Sequence, residues 1–113
     1  MHEFSIVMNI VDIAEEELKK NHAQRVDEIE LDIGTMAGIE FEALDFAWDV
    51  AVRNTVLSSA ARKVNRIEAS AHCIDCGCQF EVREPFQPCP ACHGYLNEFD
   101  HGKELKVKSI VLS

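Results

Sequence analysis

Apolar positions near the start of the chain recur at helical spacing. Phe4, Val7, Met8, Val11, Ala14 and Leu18 share one face, the 3.6-residue period of an amphipathic helix. Glu15–Lys19 and Glu16–Lys20 are i,i+4 pairs with the acid on the N-terminal side, the favourable orientation. The lysines also sit where cations suit a helix C-terminus. The pattern predicts a helix over residues 4–20. The period then changes. Ile29, Leu31 and Ile33 alternate with Glu28, Glu30 and Asp32 up to Gly34, a strand with one buried face. Phe41, Leu44, Ala47, Trp48 and Ala51 return to helical spacing and predict a second helix over 39–54. Ile67, Ala69 and Ala71 alternate with Arg66, Glu68 and Ser70 as a second strand. Leu105, Val107 and Val111 alternate with Lys106, Lys108 and Ile110 as a third. The expected class is α+β: two helices packed on a small three-stranded sheet, with a cysteine-rich, zinc-ribbon-like insert before the last strand.

Charge and cysteine divide the chain in the same place. Residues 1–70 hold fourteen acids and seven bases, residues 71–102 five acids and one base, and residues 103–113 one acid and three bases. All five cysteines and all three prolines fall in the middle block. The expected organisation is a core domain of residues 1–70 completed by 103–113, and a metal-binding domain of 71–102. A net charge of −9 argues against a general nucleic-acid binder, because phosphate affinity rests on Lys and Arg. No apolar run approaches the ~18–20 residues of a membrane span. Met1-His2-Glu3-Phe4 carries an acid where a secretory signal has bases, so a cytoplasmic location is expected. Cysteines in such a chain are metal ligands or reactive thiols more often than disulfides.

Cys73-Ile74-Asp75-Cys76 and Cys89-Pro90-Ala91-Cys92 form C-x2-C-x12-C-x2-C. Two thiolates three apart on a tight turn face one cation, and two such turns close a tetrahedron. Zinc is the expected ion, at a structural site closed by its four ligands. Gly77 and Gly94 follow the knuckles, where positive φ is often needed. Other readings of these cysteines are a rubredoxin-like iron site, thioredoxin-like redox chemistry, and c-type haem attachment at Cys89–His93. The haem reading needs export, and the redox reading needs one knuckle rather than two. Cys78 is either a small half-buried residue or an alternate thiolate ligand. His72, His93, His22 and His101 read as turn or surface residues, His93 with a possible ligand role.

A closed four-thiolate site gives structure rather than chemistry. The other candidate is Met1-His2-Glu3. The α-amine of Met1 and the amide nitrogen of His2 close a five-membered ring on a metal, and His2 Nδ1 closes a six-membered ring with its own amide. These donors are nearly coplanar. The Glu3 amide or carboxylate, or a group from elsewhere, completes a square that suits Ni(II) or Cu(II). A solvated terminus is the plainer reading of the same residues.

Taken together, the chain resembles the hydrogenase nickel-incorporation family (HypA/HybF), small metallochaperones of [NiFe]-hydrogenase maturation. The resemblance is carried by Met1-His2-Glu3 before an apolar helix and by Ile33-Gly34 ending the first strand. Glu40 with Ala43-Leu44-Asp45-Phe46-Ala47 adds to it, as do the paired knuckles through His93-Gly94. Gly102-Lys103-Glu104-Leu105 and Lys108-Ser109-Ile110 complete it. It implies Ni(II) as transported cargo on Met1 (amine), His2 and Glu3, and structural Zn(II) on Cys73, Cys76, Cys89 and Cys92. It also implies an accessory nickel-binding GTPase, transfer to the hydrogenase large subunit, and a monomer or homodimer without nucleic-acid or membrane partners. Some relatives also serve urease. In some, both knuckles carry a histidine beside a cysteine, and a zinc-domain histidine touches nickel; here Cys76-Gly77-Cys78 lacks that histidine, and His93 and His101 are the candidates for that contact.

Rival classes are weaker. Catalytic zinc keeps an open position, and neither a nucleophile–base pattern nor a phosphate-binding glycine loop is visible. An enzyme is therefore not expected. A zinc-ribbon interaction or regulatory module without nickel transfer is the alternative.

Overall fold

The computed structural model describes residues 3–113. Helix α1 (Glu3–Lys20) opens on an acid and closes on two lysines, the charge order its dipole favours. Its buried side chains are Val7, Ile10, Val11, Ala14 and Leu18. Phe4 is 52% exposed and Met8 half-buried, so the expected stripe is corrected at its start. The first turn overhangs the core, and Ile10 takes the place that Phe4 and Met8 were given. The helix stops in a Schellman motif. His22 adopts φ 50, its amide donates to the Lys19 carbonyl (3.3 Å), and the Ala23 amide donates to Leu18 (3.0 Å).

Strand β1 (Val26–Gly34) buries Val26, Ile29, Leu31 and Ile33. Helix α2 (Phe41–Ala51) buries Leu44, Ala47, Trp48 and Ala51 and packs on α1. It is shorter than its apolar pattern predicts. Val52 caps it, and Asn54 at φ 62 turns the chain away. Strand β2 (Ala61–Ile67) follows. The Thr35 amide bonds the Ile67 carbonyl (3.0 Å), Asn65 Nδ2 reaches Asp32 (2.9 Å), and Lys63 reaches Glu30 (3.9 Å). Residue numbers rise together in both strands, so β1 and β2 are parallel and α2 is their crossover. Strand β6 (Leu105–Leu112) runs the other way. Gln24 donates to Ser113 (2.7 Å) at one end of β1, and Gly34 donates to Glu104 (2.8 Å) at the other. The sheet order is β2-β1-β6. Arg62 ties the start of β2 to α2, its guanidinium 2.9 Å from Asp45 and 5.2 Å from the Trp48 ring centroid.

The expected second strand over 66–71 is two strands. β2 ends at Ile67 and β3 (Ser70–Cys73) begins a separate sheet. Apolar alternation continues through this corner, which is why the sequence reads as one run. The second sheet has the order β4-β3-β5, with β4 (Gln79–Glu81) and β5 (Asn97–His101) both antiparallel to β3. Neither flanking strand was expected, so the cysteine-rich block carries a sheet as well as knuckles.

By contacts the chain forms two compact units. One takes in the chain up to Leu31, with Ile39–Val64 and Val107–Ser113; the other is Asp32–Gly38 with Asn65–Lys106. The second unit is thus wider than the block 71–102 that holds the cysteines. Among the described residues no helix is long and apolar enough to cross a membrane.

The second unit has one backbone crossing with no room for a side chain. A Cβ on Gly34 would lie 2.0 Å from the Gly102 carbonyl carbon, and a Cβ on Gly102 would lie 2.4 Å from the Ala69 Cβ. Gly102 also has φ 113, a region other residues rarely enter. The Met36 amide bonds the Gly102 carbonyl there (2.7 Å). Gly102→Ala is expected to destabilise the second unit by about 2–4 kcal/mol through strain and overpacking together. Chemical denaturation of the metal-loaded protein checks it, and an unchanged midpoint contradicts it.

Candidate metal centre

The second unit has little with which to make a hydrophobic core. Besides Ile33 on the segment Asp32–Gly38, its buried apolar cluster is Ala69, Ala71 and Val82, with Met36, Phe80 and Phe99 packed around it in part. Beside that cluster β3 ends at Cys73, which is buried, as is Cys89. The Sγ atoms of Cys73, Cys76, Cys89 and Cys92 all lie within 4.8 Å of one another. Cys73 and Cys92 are 3.5 Å apart and Cys76 and Cys89 3.6 Å. Four ligands at the usual zinc–thiolate length of about 2.3 Å stand about 3.8 Å apart along a tetrahedron's edges. The sulfur frame therefore fits a tetrahedral thiophilic ion. Among the described residues no cysteine is in a disulfide.

The two knuckles are copies of one turn. The Gly77 amide donates to the Cys73 carbonyl (2.8 Å), and the His93 amide donates to the Cys89 carbonyl (2.8 Å). The Cys73 amide donates to Cys78 (2.9 Å), and the Cys89 amide donates to Gly94 (2.8 Å). Gly77 thus corresponds to His93, and Cys78 to Gly94. Both residues of the first pair have positive φ, 76 at Gly77 and 63 at His93. The expectation that Gly94 would take that conformation is corrected by one residue: His93 takes it. Gly94 meets a different demand, since a Cβ there would lie 3.3 Å from Cys92 Sγ.

Backbone N–H groups point at the sulfurs. Those of Cys92 and Ala91 donate to Cys89, outweigh its burial, and lower its pKa to about 6. Cys76 receives the Cys78 amide, which lowers its pKa, but the Cys89 thiol, burial and the remaining thiols push it up to about 12. Cys92 receives the Gly94 amide yet is raised by Cys73 and burial. Cys89 therefore ionises more readily than Cys76 and Cys92, since like charges this close disfavour one another. A cation removes that conflict.

His72 lies on β3 beside Cys73. A bulge between Ser70 and Ala71 in the β3–β5 pairing leaves Asp100 between the paired residues Phe99 and His101. Its carboxylate then meets His72 Nδ1 at 2.8 Å. This clamp on the strand bearing Cys73 was not anticipated, and no sequence spacing betrays a bulge. Cys78 is half-buried, with its thiol pKa raised first by burial. Glu3, proposed for the other metal, is the first residue of α1; Met1 and His2 lie outside the described residues.

Comparison with known proteins agrees with this geometry. A family model described as hydrogenase/urease nickel incorporation, metallochaperone, hypA, matches residues 1–112. A hydrogenase maturation factor HypA of Parabacteroides distasonis is 42% identical over 112 residues, covering 99% of this chain and 97% of that protein. One of Geobacter metallireducens is 36% identical over 110 residues, 97% of each. The solution structure of the Ni metallochaperone HypA from Helicobacter pylori superposes with a TM-score of 0.69 at 23% identity, over 99% of this chain and 97% of that one. A second HypA solution structure gives 0.72 at 23%, over 100% and 97%. The fold is theirs, and with the family match over nearly every residue the chain belongs to the HypA family of hydrogenase and urease nickel-incorporation metallochaperones, maturation factors rather than enzymes.

Proposed function

We propose that this chain binds one Ni(II) through the Met1 amine, the His2 amide and Nδ1, and Glu3, and passes it to the large subunit of [NiFe]-hydrogenase. A nickel-binding GTPase assists, in the cytoplasm, and Zn(II) on Cys73, Cys76, Cys89 and Cys92 is structural. The observation that carries the reading is the family match from residue 1, together with a histidine at position 2 directly before a helix that opens at Glu3. The chemistry supports transfer rather than storage. A square of nitrogens disfavours zinc, which prefers tetrahedral donors. The N-terminus of α1 carries partial positive charge that works against a bound cation, while deprotonated amide nitrogen and the Glu3 carboxylate work for it. Opposed terms of that kind leave a site that opens one donor at a time.

Amine and amide donors must lose protons to bind, so nickel affinity falls as pH falls. His2→Ala is expected to abolish stoichiometric nickel binding in isothermal titration while zinc content stays at one equivalent. A short N-terminal extension, which replaces the amine, should do the same. Full affinity in either variant contradicts the chelate.

The four thiols make zinc binding release protons. Cys76, at about 12, and Cys92, also raised, are protonated near neutrality and must give up those protons to the solvent. Cys89, at about 6, is already a thiolate there and adds a further proton only as pH falls through that value. Zinc affinity should therefore drop with falling pH, and more steeply below about 6 than above. Competition with a chromophoric chelator across that range reads the slope; a pH-independent affinity contradicts the thiolate site.

Removing the metal should also loosen one unit and spare the other. A structural zinc site contributes about 10–16 kcal/mol in small metal-dependent domains, against a buried apolar cluster of two alanines and a valine. Chelation is expected to abolish hydrogen-exchange protection in β3, β4 and β5 while α1 and α2 keep theirs. Unchanged protection in β3 after verified metal loss would show that the sheet stands alone.

A further inference from the structure

The second sheet has two unlike faces. Ala71 pairs with Phe80 on β4 and with Phe99 on β5, and all three belong to the apolar cluster. His72 pairs with Gln79 and Glu98 and so stands on the opposite face. Its ring lies between two carboxylates, one at each nitrogen. Nδ1 is 2.8 Å from Asp100 Oδ1, and Nε2 is 3.9 Å from Glu98 Oε2. An ionised carboxylate only accepts, so Nδ1 is the donor to Asp100. In the neutral ring the lone pair is then left on Nε2, on the side of Glu98. The bulge in β5 brings this about, because it adds the Asp100 carboxylate to a ring that Glu98 already faces across the pair.

From this we infer that His72 Nε2 and the Glu98 carboxylate form a second, weaker metal seat, for a divalent ion of the class that imidazole binds, Ni(II) among them, with water completing its shell. Asp100 is its positioning residue. A histidine ligand characteristically gives its other ring N–H to a carboxylate, which fixes the tautomer, aims the ring and strengthens the free nitrogen as a donor. Nitrogen and oxygen donors at about 2.1 Å from one ion stand about 3–3.5 Å apart. Rotation of the Glu98 side chain, which is 68% exposed, closes the observed 3.9 Å to that span. An imidazole beside a carboxylate suits a transition ion, whereas Mg(II) and Ca(II) are held by oxygen. The block 71–102 holds five acids and one base, so the surroundings favour a cation. The seat uses none of the four clustered thiols and does not rest on the N-terminal chelate.

The test uses the full-length, zinc-loaded His2→Ala protein, so that a chelate at the N-terminus cannot mask a weaker site. Titration with Ni(II), followed by NMR of the imidazole nitrogens, is expected to broaden the His72 ring saturably and ahead of His22, His93 and His101. In isothermal titration of the same protein, His72→Gln should remove this binding, and Asp100→Asn should weaken it about tenfold or more. Glu98→Gln should weaken it as well, and because that side chain is exposed the fold is not at stake. Zinc content should stay at one equivalent in all three. Nickel binding unchanged by His72→Gln or by Glu98→Gln, broadening centred on another histidine, or an equal response to Mg(II) overturns the proposal.

Discussion

Four sulfur atoms converge where a domain of this size would ordinarily bury leucine and phenylalanine. In the second unit β3 brings Cys73 inward between Ala71 and the first knuckle, and each knuckle closes its own ring of backbone hydrogen bonds. The thiols then crowd one another within 4.8 Å, with Cys89 lowered by backbone donors and Cys76 raised by its neighbouring thiols and burial. That arrangement is unfavourable by itself and favourable around a dication. The constraint explains why so few large apolar side chains are inside the unit. It also explains why the backbone crosses so tightly at Gly34 and Gly102: with little core to compress, close backbone contact is what remains to join the sheet to the segment Asp32–Gly38.

The first unit obeys the opposite rule. It is held by ordinary burial, Val7, Val11, Ile29, Leu31 and Leu44 being nearly shut from solvent, each worth about 1.5–3 kcal/mol relative to exposure. Its polar strand β2 is secured by charge, through Arg62 on Asp45 and Trp48 and Lys63 on Glu30. One chain thus uses two means of stability. The second unit gathers four thiols at its centre, whereas the first buries α1 against β1 and α2 by apolar side chains alone.

This difference decides what could be read in advance. α1, β1 and α2 were legible because they bury one face, so burial wrote a period into the sequence; β6 is where it was expected, but its half-buried residues are Val107, Ile110 and Leu112, with Leu105 and Val111 exposed. β2 was misplaced because its first residues are polar and held by partners distant in sequence. β3 was fused to it because alternation survives a corner that only hydrogen bonding reveals. β4 and β5 are three and five residues long. Phe80 between Gln79 and Glu81, and Phe99 between Glu98 and Asp100, hinted at them, but a single apolar residue between polar ones is too short a period to stand out. The cysteine cluster was fully legible, since ligand spacing is a local property. The Asp100 bulge and the αL conformation of His93 were not, because each is set by pairing across the sheet or the turn.

The equivalence of the knuckles gives the last step. Matching Gly77 with His93 and Cys78 with Gly94 means that the turn demands a left-handed residue at the first position, and leaves the second free wherever its side chain avoids the sulfurs. Glycine meets the first demand without strain; histidine meets it at a cost of about 1–2 kcal/mol. A residue that raises the energy of the turn and stands beside Cys92 gains nothing for the fold by being histidine rather than glycine. Its side chain is exposed, so it does not fill the core either. What the second knuckle acquires by the exchange is an exposed imidazole next to Cys92. The same conformation recurs at His22, φ 50, where it closes α1, so in both places the backbone turn, and not the side chain, sets the requirement.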